Sequence, residues 1–193
     1  VNGTLYSPFV AASARTLCGA ATVPYTQNFE TAVVPGLPLC TSREKIGLAN
    51  DWITATNPGS GFTSTTLVYP FHSTIAANAW FYTQGLQLNS GVTYRLTFRY
   101  GNNSTTYIEK LKVHIGNSPL HTAMSAVPLV DFPTINQNAA QNATVDFTVP
   151  TSGVYFLGFN CYSAADQWRL FVDDISVVVA PTCPSPTALT ATN

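Results

Sequence analysis

Charged side chains are scarce in this sequence. They make up 9% of its 193 residues, against about 25% in a typical globular domain, and the net charge is only −1. Such a surface offers no positive patch to a polyanion, so nucleic acid and a membrane surface are not expected partners. Threonine, serine and asparagine supply most of the polarity instead, a profile that is typical of extracellular β-proteins.

Long apolar runs are absent as well. The longest near the C-terminal end, ISVVVAP, is far shorter than the roughly 20 residues that span a bilayer, so we expect no membrane insertion. The sequence does not open with a basic segment followed by an apolar one, so any secretion signal has been removed or lies outside this chain.

The four cysteines contain no CxxC pair, and zinc sites usually cluster their ligands at short spacing. We therefore expect two disulfides and an oxidising compartment. Spacing alone leaves all three connectivities open. The cysteines are Cys18, Cys40, Cys161 and Cys183.

Alternation of apolar and polar residues is the strongest pattern in the chain. It is clearest in VTYRLTFRY and recurs in EKLKVHI and TVDFTV, with turn-forming residues between these segments. No window of useful length has an apolar stripe at the 3.6-residue helical period. The pattern predicts an all-β chain of short strands that forms an antiparallel β-sandwich, most naturally a jelly roll.

No recognisable catalytic motif accompanies these strands. The three histidines stand outside any known motif, and His114 falls on the polar face of its strand, where a solvated side chain is expected. Asp173 and Asp174 are adjacent, so on a regular strand they would point to opposite faces and could not flank one glycosidic bond. We therefore expect a protein that is not an enzyme.

The aspartate pair interrupts the alternation of the last strand, which indicates a β-bulge there. The apolar residues before and after the pair hold opposite phases: Leu170 and Val172 before it, and Ile175, Val177 and Val179 after it. A bulge can re-aim an aspartate side chain, and calcium binds carboxylates together with carbonyls and water. Hydrogen bonding of Asp173 and Asp174 to nearby backbone groups is the simpler alternative.

Aromatic residues make up 12% of the chain, and most are expected in the core, including Trp52 and Trp80. In the segment CYSAADQW, by contrast, Tyr162 and Trp168 are candidates for exposed ligand-binding platforms. The same two residues could instead contact a neighbouring module or subunit.

The chain contains, in this order, the segments VPYTQNFET, AWFYTQGLQLNSGVTYRLTFRY, EKLKVHIGNSP and VYFLGFNCYSAADQWRLFVDDISV. Their order and spacing resemble those of the cleaved-adhesin or "choice-of-anchor J" jelly-roll modules of secreted and surface proteins in Bacteroidetes-type bacteria. The resemblance is also to MAM domains and to several carbohydrate-binding modules. It covers residues 23–180, whereas 1–22 resemble the end of a preceding β-module or an extended tail. Residues 181–193 resemble a linker or the start of a fibronectin type III domain.

The resemblance implies a structural calcium ion held by Glu30 and Asp173, with Asp174 as a further candidate ligand. It also implies that the first strand lies antiparallel to the last. Extended outward, that ladder would bring Cys18 close to Cys183 and leave Cys40 to pair with Cys161.

The function expected from the resemblance is that of a secreted, non-catalytic adhesion module at the cell surface, with glycans or surface proteins as partners. Two alternatives remain open at this point. One is a carbohydrate-binding module of a secreted hydrolase. The other is an extracellular filament subunit whose tails pair with neighbouring copies of itself.

Overall fold

The structure is a computed structural model, and it describes residues 18–181. These residues form twelve strands and one turn of 3-10 helix, His121–Ala123, and no helix among them is long and apolar enough to cross a membrane. The strands are β1 (Tyr25–Gln27), β2 (Ser42–Lys45), β3 (Ile53–Thr56), β4 (Thr65–Pro70), β5 (Ala79–Tyr82), β6 (Leu86–Leu88), β7 (Tyr94–Asn102), β8 (Glu109–Gly116), β9 (Val130–Ile135), β10 (Ala140–Phe147), β11 (Gly153–Cys161) and β12 (Arg169–Val179).

Two six-stranded antiparallel sheets pack face to face. Sheet 1 has the order β10-β7-β12-β4-β3, with β1 also paired to β12, and sheet 2 has the order β2-β5-β11-β8-β9, with β6 also paired to β11. Most consecutive strands of the second half lie in different sheets, so their connections run over the ends of the sandwich. The predicted all-β antiparallel sandwich of jelly-roll type is confirmed.

The core lies between the inner faces of the two sheets, and β7 shows how alternation places it there. Its residues Tyr94, Leu96 and Phe98 are at most 3% exposed, while the residues between them face outward. Phe98 meets Phe159 of sheet 2 edge-on, with ring centroids 5.2 Å apart. Burying each such side chain stabilises the fold by roughly 1.5–3 kcal/mol.

β12 lies in the middle of sheet 1, with β7 along one side, and on its other side it changes partner from β4 to β1. Its residues 169–172 pair with β4 and its residues 175–177 pair with β1. Between them the register against β7 shifts, from Asp173 to Ser176, so the predicted bulge is confirmed. Apolar residues on both sides of the shift enter the core, but Val179, beyond the end of β1, is 57% exposed.

The predicted disulfide connectivity is wrong. Cys18 is bonded to Cys40, with their Cα atoms 5.4 Å apart, and not to Cys183, which lies outside the described residues. Cys161 does not pair with Cys40, because it is a free thiol buried in the core on β11.

The ladder between the first and last strands does not extend as far as Cys18. Its antiparallel orientation was correctly expected, but pairing begins only at Tyr25, which lies opposite Val177. Before that residue the chain joins sheet 2 instead: the Ala21 amide donates to Gly85 O at 2.8 Å, and Ala21 O accepts from the Gln87 amide at 2.8 Å. This change of sheet carries Cys18 away from the end of β12.

Residues 117–129 connect β8 to β9 and cover part of the outer face of sheet 2; we call this segment the strap. Met124 of the strap packs on Gly158, because a Cβ atom at Gly158 would lie 2.8 Å from the Met124 Sδ. The strap also covers His114, whose Nδ1 lies 2.8 Å from Ser125 O. The expectation that His114 is solvated is therefore wrong: it is 8% exposed.

Candidate functional site

Asp173 is a fully buried carboxylate at the point where β12 changes partner from β4 to β1. Its Oδ2 accepts hydrogen bonds from Ser64 Oγ at 3.2 Å and Thr66 Oγ1 at 3.1 Å, and its Oδ1 accepts one from the Asp174 amide at 2.8 Å. Burial raises the pKa of Asp173 to about 6, although these hydrogen bonds oppose the shift. No described lysine or arginine forms an ion pair with it.

Glu30 reaches the same end of β4. Its Oε1 accepts a hydrogen bond from the Thr65 amide at 3.0 Å, and Thr65 lies between the two residues that donate to Asp173. The preceding residue, Phe29, has a φ of 61° and a fully buried ring, and this conformation anchors the turn after β1. The two carboxylates therefore converge on residues 64–66.

Asp174 turns away from this cluster. It has a φ of 50°, the left-handed conformation that a bulge can require, and its side chain is exposed. Its Oδ2 lies 3.6 Å from the Arg99 Nη1 on the outer face of sheet 1. The bulge thus separates the side chains of Asp173 and Asp174.

The oxygen atoms around Asp173 have the chemistry that calcium prefers, namely carboxylates mixed with carbonyl and hydroxyl oxygens. The carbonyl is that of Ser64, whose oxygen lies 3.3 Å from Thr66 Oγ1. Within residues 18–181, however, no three His, Cys, Asp or Glu side chains are grouped closely enough to hold a metal ion. Asp173 and Glu30 fit as two ligands, whereas Asp174 faces Arg99, so a calcium site here stays a prediction.

At one end of the sandwich, three aromatic rings stack; we call Phe71, Tyr107 and Trp168 the aromatic shelf. The Trp168 ring lies 5.0 Å from the Phe71 ring, with 20° between the planes, and 6.3 Å from the Tyr107 ring, with 15° between them. Trp168 is 40% exposed and Tyr107 is 38% exposed. The shelf therefore presents apolar ring surface beside a phenol hydroxyl and an indole N–H.

Each shelf residue comes from a different connection between strands. Phe71 follows β4, Tyr107 precedes β8 and Trp168 precedes β12. The antiparallel registers bring these connections to the same end of the sandwich: Arg169 pairs with Pro70, and Leu170 with Asn102.

Hydrogen bonds hold the three connections together. The Phe71 amide donates to Trp168 O at 2.7 Å, and the Ile108 amide donates to the Gln167 Oε1 at 2.7 Å. Trp168 itself has a φ of 82°, an uncommon conformation for a bulky residue. Tertiary contacts, more than local propensity, therefore set the position of its ring.

Tyr162, the other predicted platform, has different surroundings. The Lys112 Nζ lies 4.3 Å from its ring centroid and the Lys110 Nζ 5.8 Å. Its hydroxyl donates to Asp131 Oδ1, and burial, together with this hydrogen bond, raises the pKa of the phenol. The described ring contacts do not join Tyr162 to the shelf, so the structure does not bring the two predicted platform residues together.

Phe71 and Tyr107 were not identified from the sequence. The rings meet only because three connections, far apart along the chain, converge in the fold. The one local signal is an aromatic residue in the turn-rich segment YGNNSTTYIEK, and single aromatic residues in such segments are common.

The sequence matches no family model and no curated protein, but solved structures match its fold. The K1 cleaved adhesin domain of Lys-gingipain from Porphyromonas gingivalis has a TM-score of 0.67 and 16% identity, over 81% of this chain and 98% of that one. The K2 cleaved adhesin domain of the same protein has a TM-score of 0.64 and 13% identity, over 80% and 99%.

A second type of domain shares this architecture. The CBM22-2 xylan-binding domain from Paenibacillus barcinonensis Xyn10C has a TM-score of 0.54 and 12% identity, over 81% of this chain and 99% of that one. The fold of this chain is therefore that of the cleaved adhesin and carbohydrate-binding jelly rolls. The resemblance in the sequence is confirmed at the level of the fold.

Proposed function

We propose that the protein is a non-catalytic, extracellular adhesion module that binds glycans through the aromatic shelf. The observation that carries this proposal is the exposure of two stacked rings, Trp168 and Tyr107, on connections that a rigid sandwich holds in place. Tyrosine and tryptophan supply large, rigid contact surfaces at a low cost in conformational entropy. Such rings suit the apolar faces of sugar rings, while their polar edges can bond to hydroxyl groups.

The contacts of the histidines support a role without catalysis. The His72 Nδ1 accepts from the Thr74 and Ile75 amides, and His114 lies under the strap. His121 Nδ1 lies 2.7 Å from Glu44 Oε1. Each histidine therefore has a structural partner, and none is paired with a described serine or cysteine side chain as a catalytic base would be.

Two further observations support an extracellular location and a binding role. The Cys18–Cys40 disulfide is of the kind that persists in oxidising compartments. The solved structures of the same fold are named as adhesin domains and as xylan-binding domains, and both are binding modules. A secreted module at the cell surface is the function that accounts for these observations together.

The shelf variants Trp168→Ala and Tyr107→Ala test this proposal on a glycan array and by titration calorimetry. We expect each to weaken glycan binding at least tenfold, because truncating a central aromatic contact commonly costs about 2 kcal/mol. Val179→Ala, an exposed apolar residue at the far end of β12, is the matched control and should bind normally. Folding of each variant is checked by its melting temperature.

The same experiment separates the alternatives. A carbohydrate-binding module of a hydrolase would prefer plant or algal polysaccharides, whereas a surface adhesin would prefer host-type glycans or bind a surface protein instead. Binding that is lost in Tyr162→Ala but kept in Trp168→Ala would contradict the shelf as the contact surface. The filament alternative rests on the tails, residues 1–22 and 181–193, of which 1–17 and 182–193 lie outside the described residues.

We further propose that Asp173 and Glu30 hold a structural calcium ion beside residues 64–66. Calcium would supply the positive charge that the buried Asp173 carboxylate lacks among its described contacts. Saturation to a hundredfold excess over Kd would raise the free energy of unfolding by about 2.7 kcal/mol.

Thermal unfolding in calcium and in chelator tests this site. We expect calcium to raise the Tm of the wild-type protein and of Asp146→Asn, whose substituted carboxylate lies on the outer face of sheet 1. Asp173→Asn should lose the shift. Equal melting temperatures in calcium and chelator for the wild-type protein would rule the site out.

A further inference from the structure

Glu109 is an ionisable residue in the apolar core. It is the first residue of β8 and shares the inward phase of Leu111 and Val113, and its side chain is 0% exposed. Transfer of an ionised carboxylate from water into an apolar core costs free energy unless a cation or several hydrogen bonds offset the loss of hydration.

The described contacts of Glu109 provide little compensation. Ser163 Oγ donates to Glu109 Oε2, whereas Glu109 Oε1 has no partner among the described residues. The titratable groups that face it are the Tyr69 phenol of β4 and the Cys161 thiol of β11, and burial raises the pKa of both, so both are neutral. No described lysine or arginine pairs with Glu109, and burial raises its pKa to about 7.

Ser163 links this carboxyl group to the connections that carry the aromatic shelf. Its Oγ accepts a hydrogen bond from the Lys110 amide at 2.8 Å, and its carbonyl accepts one from the Ala77 amide at 2.8 Å. Ser163 belongs to the connection 162–168 and Ala77 to the connection 71–78, which contribute two of the three shelf rings. One serine therefore fastens both connections to the start of β8.

We propose that Glu109 is a positioning residue for the aromatic shelf: its protonated carboxyl group is accommodated in the core while Ser163 fastens the connection 162–168 over it, and ionisation releases the connection because the buried charge then favours an open form in which water reaches the carboxylate. The expected effect on glycan binding rests on the proposed function of the shelf, whereas the release of the connection is independent of that function.

Opening of the connection is coupled to pH because the proton passes between the Glu109 carboxyl group and the solvent. In an open connection, water reaches the carboxyl group, and its pKa returns towards the ordinary glutamate value of 4.5. Because the closed form binds the proton more tightly, the opening constant rises up to tenfold per pH unit between about pH 5 and pH 7. It then levels off, since both forms are ionised.

Hydrogen exchange tests the release without any ligand. The informative amides are those of residues 162–168 and of Lys110, which donates to Ser163. After correction for the chemical exchange rate, we expect their protection to fall by up to tenfold per pH unit between about pH 5 and pH 7 and then to level off. Glu109→Gln cannot ionise, so its protection should stay constant, whereas Asp146→Asn should behave like the wild-type protein.

A carboxyl titration of the wild-type protein by ¹³C NMR keeps the test decisive if Glu109→Gln folds poorly. The chain has only three glutamates, Glu30, Glu44 and Glu109, so their signals can be assigned by substitution. We expect the Glu109 signal to titrate near pH 7, at the midpoint of the change in protection. Titration of Glu109 below about pH 5.5, or the same slope of protection in Glu109→Gln, would overturn the proposal.

Glycan affinity provides a separate readout. We expect affinity for an array-selected glycan to fall above about pH 6 in the wild-type protein and to be independent of pH in Glu109→Gln. Affinity that stays constant while protection changes would overturn the coupling between Glu109 and the shelf. No glycan binding at any pH would reject the proposed function, and the exchange and titration results would then decide the role of Glu109 alone.

Discussion

The Asp173 carboxyl group is completely buried and has a pKa near 6. Three hydrogen bonds offset part of the cost of burying its charge. In the absence of a cation, this arrangement makes the folded state bind a proton more tightly than the unfolded chain, in which the aspartate has its ordinary pKa of 3.8. The contribution of Asp173 to the free energy of unfolding is therefore largest below about pH 4 and falls as the pH rises to about 6. Glu109 adds a similar loss, which continues to about pH 7.

The residue-scale prediction is that Asp173→Asn removes the loss of stability that ionisation of Asp173 causes as the pH rises. In chelator, the difference in free energy of unfolding between variant and wild-type protein should change by up to about 3 kcal/mol between pH 4 and pH 7, in favour of the variant. Urea denaturation at each pH measures it.

Asp146→Asn is the control for that experiment and should show the opposite sign. The Arg95 guanidinium lowers the pKa of Asp146, so its ionised form favours folding and removal of the charge costs stability at higher pH. A difference between Asp173→Asn and wild-type protein that does not vary with pH would show that Asp173 is not buried as described.

The strap is the element whose position the alternation pattern did not predict. It covers an outer sheet face on which Trp80 is 8% exposed and Tyr82 is 0% exposed, although outer positions of a sandwich usually face water. Met124, the only methionine of the chain, fills the space above Gly158. A strand residue without a side chain thus makes room for a residue of the connection.

The element-scale prediction is that Gly158→Ala destabilises the protein by about 2 kcal/mol. Its Cβ would lie 2.8 Å from Met124 Sδ, 3.1 Å from Tyr82 Cε1 and 3.2 Å from Trp80 Cε3, and overpacking of this kind commonly costs 1–3 kcal/mol. Met124→Ala in the same chain should recover part of the loss, and chemical denaturation of all four species forms a double-mutant cycle.

Gly153→Ala on the same strand is the matched control. Its Cβ would meet only Tyr155 Cε2, at 3.9 Å, so a change of less than about 1 kcal/mol is expected. Similar losses at the two glycines would mean that the strap does not pack on Gly158.

At the scale of the whole molecule, the Cys18–Cys40 disulfide constrains the unfolded chain as well as the folded one. It closes a loop with a sequence separation of 22 residues. Loss of chain entropy in the unfolded state then gives a stabilisation of about 3 kcal/mol. We expect the double variant Cys18→Ser, Cys40→Ser to lose stability of that order in urea denaturation, and non-reducing peptide mapping of the wild-type protein to recover the two cysteines in one linked product.

Cys161 serves as the internal comparison in that mapping. Burial raises the pKa of its thiol, so its peptide should be alkylated only after denaturation. A Cys40–Cys161 product would contradict the structure.

Much of the sandwich could be predicted because strand alternation is local. The segment VTYRLTFRY places its own apolar residues on one face, and the phase change around Asp173 locates the bulge without reference to any other strand. The β2, β3, β6 and β9 strands were not identified. SREK has no apolar residue, ITAT and LQL have two each, and VDFPTI contains a proline, which is disfavoured inside strands. The disulfide was mispredicted because the ladder was extended beyond Tyr25, where the chain leaves sheet 1.

The sequence by itself therefore determined the fold class, the bulge at Asp173 and the scarcity of charge, and its resemblance to known jelly rolls implied the antiparallel pairing of the first and last strands. Only the tertiary structure decided that Cys18 joins Cys40, that the strap buries His114, that Phe71 and Tyr107 complete a shelf with Trp168, and that Glu109 faces Ser163. The physical reason is the range of the interactions. Alternation is dictated by neighbours two residues apart, whereas the shelf, the strap and the buried acid arise from contacts between connections whose meeting point depends on the register of the whole sandwich.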